Sequence, residues 1–312
     1  MENDSAVGRL VDNIRKVFIG ETEVIRLVAT ALLARGHLLI EDVPGIGKTL
    51  LGIALARSIE SSFRRIQFTN DLLPSDLLGM SIYNPRDATF AFKPGPIFSN
   101  VILADEINRT TPKTQSALLE AMNDLQVTID GKSYPLPEPF MIIATQNPIE
   151  YHGTFPLPEA QLDRFLIRLR IGYPSPESEK EIIRGRDLYQ QAGRLEAVVT
   201  GDEAVDLQSR VDGVRVDDAL LDYIIALAAE TRKTKGIKLG VSPRGALLLR
   251  RAAQAYALTF GRDYVIPDDV KKVAIPVLAH RIVIESQAYG LLRILESDSA
   301  IGDILNKVPV PL

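Results

Sequence analysis

Strand, glycine turn and helix follow one another without a gap between His37 and Ile59, and that succession restricts the fold more than any other part of the chain. An apolar run from His37 to Glu41 opens into Asp42-Val43-Pro44-Gly45-Ile46-Gly47-Lys48-Thr49, and Leu50 continues as an apolar helix. A buried strand that turns straight into a helix belongs to a sheet whose faces are covered by helices, and such sheets are parallel. The rest of the first half agrees. Apolar runs at Phe63 to Phe68, Val101 to Asp105, Phe140 to Thr145 and Phe165 to Ile171 alternate with helical stretches at Glu21 to Arg35, Thr49 to Glu60 and Lys113 to Asp124. Five strands in one parallel sheet are expected.

The character changes after Gly172-Tyr173-Pro174-Ser175-Pro176, where β-branched runs give way to Leu and Ala at helical spacing. The 312 residues exceed the roughly 150 of one ordinary domain. We therefore expect an α/β unit over residues 1–173 and an all-helical unit over residues 174–312, with helices at Val216 to Thr231, Arg244 to Phe260 and Asp268 to Ile284. Two hairpins interrupt the α/β pattern. Val127-Thr128-Ile129 and Lys132-Ser133-Tyr134 flank Asp130-Gly131, a pair that accepts the positive φ of a type I′ turn. Ser81-Ile82-Tyr83 and Phe90-Ala91-Phe92 flank Asn84-Pro85-Arg86-Asp87.

Composition excludes several chemistries. Lysine and arginine number 36 against 40 aspartates and glutamates, a net charge of −4 that provides no global field for a nucleic-acid backbone. With no cysteine there are no disulfides, thiolate nucleophiles or iron–sulfur clusters, and His37, His152 and His280 lack metal-ligand spacing. The acidic start resembles no secretory leader, and no apolar stretch approaches the roughly 18 residues of a membrane span; a cytoplasmic location is the expectation.

The glycine loop carries the first chemical reading. Gly45 and Gly47 let backbone N–H groups wrap a β-phosphate, Lys48 reaches β and γ oxygens, and Thr49 is suited to ligate Mg²⁺. A glycine-rich helix entry without ligand is the plainer alternative. Asp42 stands where the phosphate-loop pattern has its first glycine, and its charge is expected beside the triphosphate, at a cost to nucleotide affinity. A dinucleotide loop is excluded because Leu50 occupies the third glycine position. The second reading is Asp105-Glu106 at a strand end: Asp105 for the Mg²⁺ shell, Glu106 to polarise an attacking water. Together the two segments point to a Mg²⁺-dependent nucleoside triphosphatase.

Three further residues have two readings each. Asn147, ending the fourth strand, either orients that water or begins the Asn147-Pro148 turn. Arg164, before the fifth strand, either reaches a γ-phosphate held by a neighbouring subunit or forms an internal ion pair. Arg244, at a helix start capped by Ser242-Pro243, either contacts phosphate across the cleft or is solvated.

Taken in order, these segments resemble the MoxR family of AAA+ ATPases. The likeness rests on Gly36 to Glu41 leading into Pro44 to Thr49, Gln67-Phe68-Thr69-Asn70-Asp71-Leu72-Leu73-Pro74-Ser75-Asp76, Gly95-Pro96-Ile97-Phe98, Asp105 to Arg109 with Pro112 to Met122, Ala144 to Pro148 and Pro158 to Phe165. The resemblance implies an AAA+ P-loop core with a helical lid, and gives Lys48 and Thr49 to Walker A, Asp105 and Glu106 to Walker B, Asn147 to sensor 1 and Arg244 to sensor 2. Arg164 becomes an arginine finger acting in trans. Val17, Ile19 and Gly20 fall in the turn that encloses adenine, Ile46 and Leu50 join the nucleotide-binding residues of the loop from Pro44 to Leu50, and the two hairpins become the helix-2 and pre-sensor-1 inserts. It further implies ATP and Mg²⁺ as ligands, a ring that is usually hexameric, and a protein partner carrying a von Willebrand factor A domain. A DNA motor and a nucleotide-gated binding switch are the competing classes; the −4 charge weighs against the first.

Overall fold

The computed structural model describes residues 5–43, 45–86, 88–147, 154–184, 187–288 and 290–311. Two helices come first, α1 (Ala6–Arg15), capped by the Ser5 hydroxyl, and α2 (Thr22–Leu33). The sheet begins with β1 (Leu38–Glu41), and α3 (Lys48–Ser58) follows the glycine loop. Then come β2 (Phe63–Gln67), the short α4 (Pro74–Leu78), the hairpin β3 (Gly79–Asn84) and β4 (Thr89–Pro94), and β5 (Val101–Asp105). The helix α5 (Pro112–Asp124) leads to the hairpin β6 (Gln126–Ile129) and β7 (Lys132–Pro135), then β8 (Met141–Gln146), α6 (Glu159–Leu162) and β9 (Ile167–Leu169).

The five long-range strands form one parallel sheet in the order β2-β5-β8-β1-β9. Side-chain alternation in the strands sorts residues onto two cores. Leu38, Ile40, Leu103 and Ile143 face α1, α2 and α3, whereas Leu39, Ile102, Ala104 and Ile142 face α5 with Phe68 and Phe165. Asp130 and Gly131 take φ of 51° and 75°, the left-handed pair that the Asp-Gly turn requires. At the root of the other hairpin the backbones meet too closely for side chains. A Cβ on Gly79 would lie 2.3 Å from the Lys93 carbonyl oxygen, and Gly79 has a φ of +95°. The two hairpins touch through a stacked pair, Phe92 against Tyr134, with ring centroids 4.1 Å apart.

The C-terminal region carries α7 (Pro176–Ile183), α8 (Leu188–Gly193), α9 (Gly201–Arg210), α10 (Asp218–Thr231), β10 (Ile237–Leu239), α11 (Pro243–Leu258), α12 (Pro267–Leu278), β11 (Val283–Ile284) and α13 (Leu291–Lys307). The expected helix from 268 to 284 ends early, at Leu278. Ile284 and Val283 instead pair antiparallel with Ile237 and Leu239, so the helical region contains one small ribbon. Two side chains at the break turn inward: Arg281 donates to Asp163 Oδ1 at 2.9 Å, and His280 meets the Phe165 carbonyl. Helix α11 also ties back to the first helices, because Arg251 donates to the Ala34 carbonyl at 2.8 Å and the Tyr256 hydroxyl donates to Glu23. Arg251 is thus a tether between α11 and the end of α2. Among the described residues no helix is long and apolar enough to cross a membrane.

Candidate active site

Strands β5 and β8 are parallel neighbours with Ala104 opposite Ala144, so Asp105-Glu106 and Gln146-Asn147 leave the sheet side by side. On the other side of β8 lies β1, with Glu41 opposite Gln146, and the glycine loop leaves from the same edge. The C-terminal ends of parallel strands are where open α/β sheets place their ligands. A cavity of about 240 Å³ forms there, lined by Gly45, Gly47, Lys48, Thr49, Asp105, Glu106 and Asn147. Pro44 lies outside the described residues.

The loop has the geometry of a phosphate cradle. Gly45 and Gly47 have φ of +88° and +91°, values that side-chain-bearing residues rarely adopt, and nothing lies within 4 Å of where a Gly45 Cβ would stand. Lys48 opens α3, and its ammonium donates to the Asp42 carbonyl at 2.8 Å. Burial lowers its pKa, opposed by the carboxylates of Asp105, Asp42 and Glu106. The ammonium lines the cavity and offers its remaining donors there.

The acid pair is held from several directions. Thr145 Oγ1 donates to Asp105 Oδ1 at 2.6 Å and accepts the Glu106 N–H at 2.9 Å. Arg65 grips Asp105 Oδ2 with Nη2 at 2.6 Å and Nε at 3.1 Å. Glu106 takes a left-handed backbone (φ 59°, ψ 50°), a conformation that costs about 1–3 kcal/mol in a non-glycine residue and here carries its side chain clear of the strand. Its Oε2 accepts from Gln67 Nε2 at 2.8 Å and lies 3.1 Å from Arg109 Nε. Among the described residues no cluster of three His, Asp or Glu closes on one point. One carboxylate and one hydroxyl beside phosphate oxygens is nonetheless the donor set Mg²⁺ prefers, and Asp105 and Thr49 present it.

A second cavity, about 590 Å³ and mostly apolar, adjoins the first across Gly45, Gly47 and Tyr189. Its walls include Ile19, Gly20, Ile46 and Leu50, with Ile171, Tyr173 and Ile182 opposite. A polar chamber opening into an apolar one matches the two ends of a nucleotide. Val17 is buried beneath this wall and does not line it.

One expectation changes, and two arginines lie outside both cavities. The Asp42 carboxylate does not face the phosphate cavity: Oδ2 accepts the N–H groups of Ile171 and Gly172 at 2.9 and 2.7 Å, and Oδ1 that of Val43 at 2.8 Å. Two of these three backbone donors belong to the chain that leaves β9 and draw the carboxylate toward it. Arg244 lines neither cavity; its guanidinium lies 3.6 Å from Asp163, which Arg281 also holds. Arg164 is likewise outside, donating from Nη1 to the Leu119 carbonyl at 2.8 Å.

Sequence reasoning passed over Arg65, Gln67, Thr145 and Tyr189, all of which line or brace the polar cavity. Arg65 and Gln67 are two apart on β2 and so share a face, and Gln67 lies opposite Asp105. That alternation was the available signal, but it acquires meaning only once β2 is known to pair with β5.

Lys48 and Thr49 at the head of a helix, facing an acid pair that ends the strand on the far side of β8, define a P-loop nucleoside triphosphatase. The family described as "ATPase family associated with various cellular activities (AAA)" matches residues 37–167, and the AAA lid domain matches residues 229–292. Chaperone MoxR1 of Mycobacterium tuberculosis is 40% identical over 97% of this chain and 82% of its own. The uncharacterized protein YeaC of Bacillus subtilis is 48% identical over 98% of this chain and 95% of its own. A crystal structure from Cytophaga hutchinsonii, assigned as an ATPase, superposes with a TM-score of 0.86 at 38% identity, covering 98% and 95% of the two chains. The chain belongs to the MoxR family of AAA+ ATPases, and as such binds and hydrolyses ATP.

Proposed function

We propose that this MoxR-type, chaperone-like ATPase hydrolyses Mg²⁺-bound ATP within an oligomeric ring and uses the cycle to remodel or activate a partner protein. The reading is carried by one observation: Gly45, Gly47, Lys48, Thr49, Asp105, Glu106 and Asn147 line a single cavity. Lys48 and the loop N–H groups hold the β- and γ-phosphates, and Thr49 with Asp105 would hold the metal. Bound Mg²⁺ supplies charge neutralisation at those phosphate oxygens. Glu106 accepts the proton of the attacking water, which Asn147 orients. Ile19, Gly20, Ile46 and Leu50 receive the base.

Arg164, held off the cavity of its own chain, is suited to act on the γ-phosphate of the next subunit. That arrangement favours a ring, hexameric by family likeness, with residues 174–312 as lid. A cytoplasmic setting and a partner bearing a von Willebrand factor A domain complete the proposal. Glu106→Gln tests it: ATP should remain bound while turnover falls about 100-fold or more, and the trapped form should retain the partner. Turnover at the native rate would overturn the role of Glu106.

A further inference from the structure

Asp42 joins two parts of the site. Its backbone carbonyl accepts the Lys48 ammonium at 2.8 Å, while its carboxylate accepts two consecutive N–H groups, Ile171 at 2.9 Å and Gly172 at 2.7 Å. Ile171 and Gly172 follow β9 and begin the linker that, with Tyr173, forms the wall of the apolar cavity opposite Ile19 and Gly20. Gly172 turns there with a φ of +73° and has nothing within 4 Å of its Cβ position, so its own packing does not fix the bend. The carboxylate does. Two charge-assisted bonds to adjacent donors fix both the position and the direction of the linker against the loop. A glycine at position 42, as in the ordinary phosphate-loop pattern, has no atoms with which to do this.

We propose that Asp42 is a positioning residue for the base end of the nucleotide: it clamps the 171–172 linker to the glycine loop and holds the apolar cavity at the width a nucleoside needs. This rests on the assignment of the two cavities to phosphate and base made above. Its distinguishing consequence is a separation of the two ends of the ligand. The carboxylate points away from the polar cavity, so its loss weakens what the linker wall touches and leaves what the loop N–H groups touch.

The test compares ATP with inorganic tripolyphosphate, which has the charges but no base, binding to the full chain at equilibrium. Asp42→Gly should weaken ATP by about tenfold, the scale of one lost bond to a charged group, while tripolyphosphate, relieved of a carboxylate near Lys48, binds no more weakly than it does to the native chain. Hydrogen exchange should accelerate at the Ile171 and Gly172 amides, with the rest of the sheet protected as before, which shows the fold retained. Asp42→Asn, of the same size but with one acceptor oxygen, should give an intermediate ATP loss. Equal weakening of both ligands, or of neither, overturns the clamp. Lys48→Ala tests the underlying assignment separately: if tripolyphosphate binds that variant as well as the native chain, the phosphate cavity itself is misassigned.

Discussion

The Thr145 hydroxyl donates to Asp105 Oδ1 across 2.6 Å, and the same oxygen accepts the backbone N–H of Glu106 at 2.9 Å. Both acids therefore take their position from the strand beside them. Thr145→Val keeps the branched shape in a fully buried place but leaves a carboxylate oxygen and an N–H without this partner. Stability should fall by about 1–3 kcal/mol, read by urea denaturation. ATP turnover should fall by about tenfold or more, and Thr145→Ser should restore most of both.

His37 supplies a pH dependence. Its Nδ1 accepts the Ile142 N–H at 3.0 Å and its Nε2 meets the Met122 carbonyl at 3.1 Å, which fixes the neutral ring with the proton on Nε2. Complete burial lowers its pKa from 6.5 to about 4, with the Met122 bond opposing. The unfolded chain thus takes up a proton below pH 6.5 that the folded chain refuses. The contribution is fully present above pH 6.5 and declines by about 3 kcal/mol as the pH falls to 4. His280, whose pKa is also lowered by burial and by Arg281, acts in the same direction. In His37→Gln the urea midpoint should change less steeply across this window, although it starts lower at neutral pH.

Gly79→Ala tests the root of the first hairpin. The added Cβ would meet the Lys93 oxygen at 2.3 Å and the Gly95 nitrogen at 2.6 Å, both backbone atoms that cannot swing away, at a φ of +95°. We expect a loss above about 2 kcal/mol and early proteolytic cleavage within 79–94. Unchanged cleavage and an unchanged melting temperature would contradict the close approach.

Arg164→Ala should lower turnover by about 1,000-fold while ATP still binds. The loss of its bond to the Leu119 carbonyl costs only about 1 kcal/mol, so the variant stays folded. Mixing it with Lys48→Ala, itself inactive, should regain activity if the arginine acts between subunits. A mixture as inactive as its components would place the arginine in its own site or in none.

Much of this molecule was legible in the chain because its signals are local. The apolar runs at 101–105 and 141–145 could hardly be anything but buried strands, and the Asp130-Gly131 turn needed no tertiary help. What resisted reading depends on partners far away in sequence. Val283 and Ile284 join a strand because Ile237 and Leu239 lie beside them, and the α12 pattern alone gives no warning of it. Thr145 and Arg65 look like filler until β8 and β2 flank β5. Asp42 was misread for a related reason: its charge was visible, but its direction is set by amides about 130 positions later. Arg244 was read correctly as a residue at a capped helix start, but not as a partner of Asp163.

The Phe92–Tyr134 stack gives the two inserts a common fate. One hairpin is spliced into the chain ahead of β5 and the other ahead of β8, so each leads into the strand whose far end bears Glu106 or Asn147. With the rings in face contact the molecule has a single appendage with two roots. Pulling on either tip loads both roots together, and the load enters two adjacent strands of the same sheet.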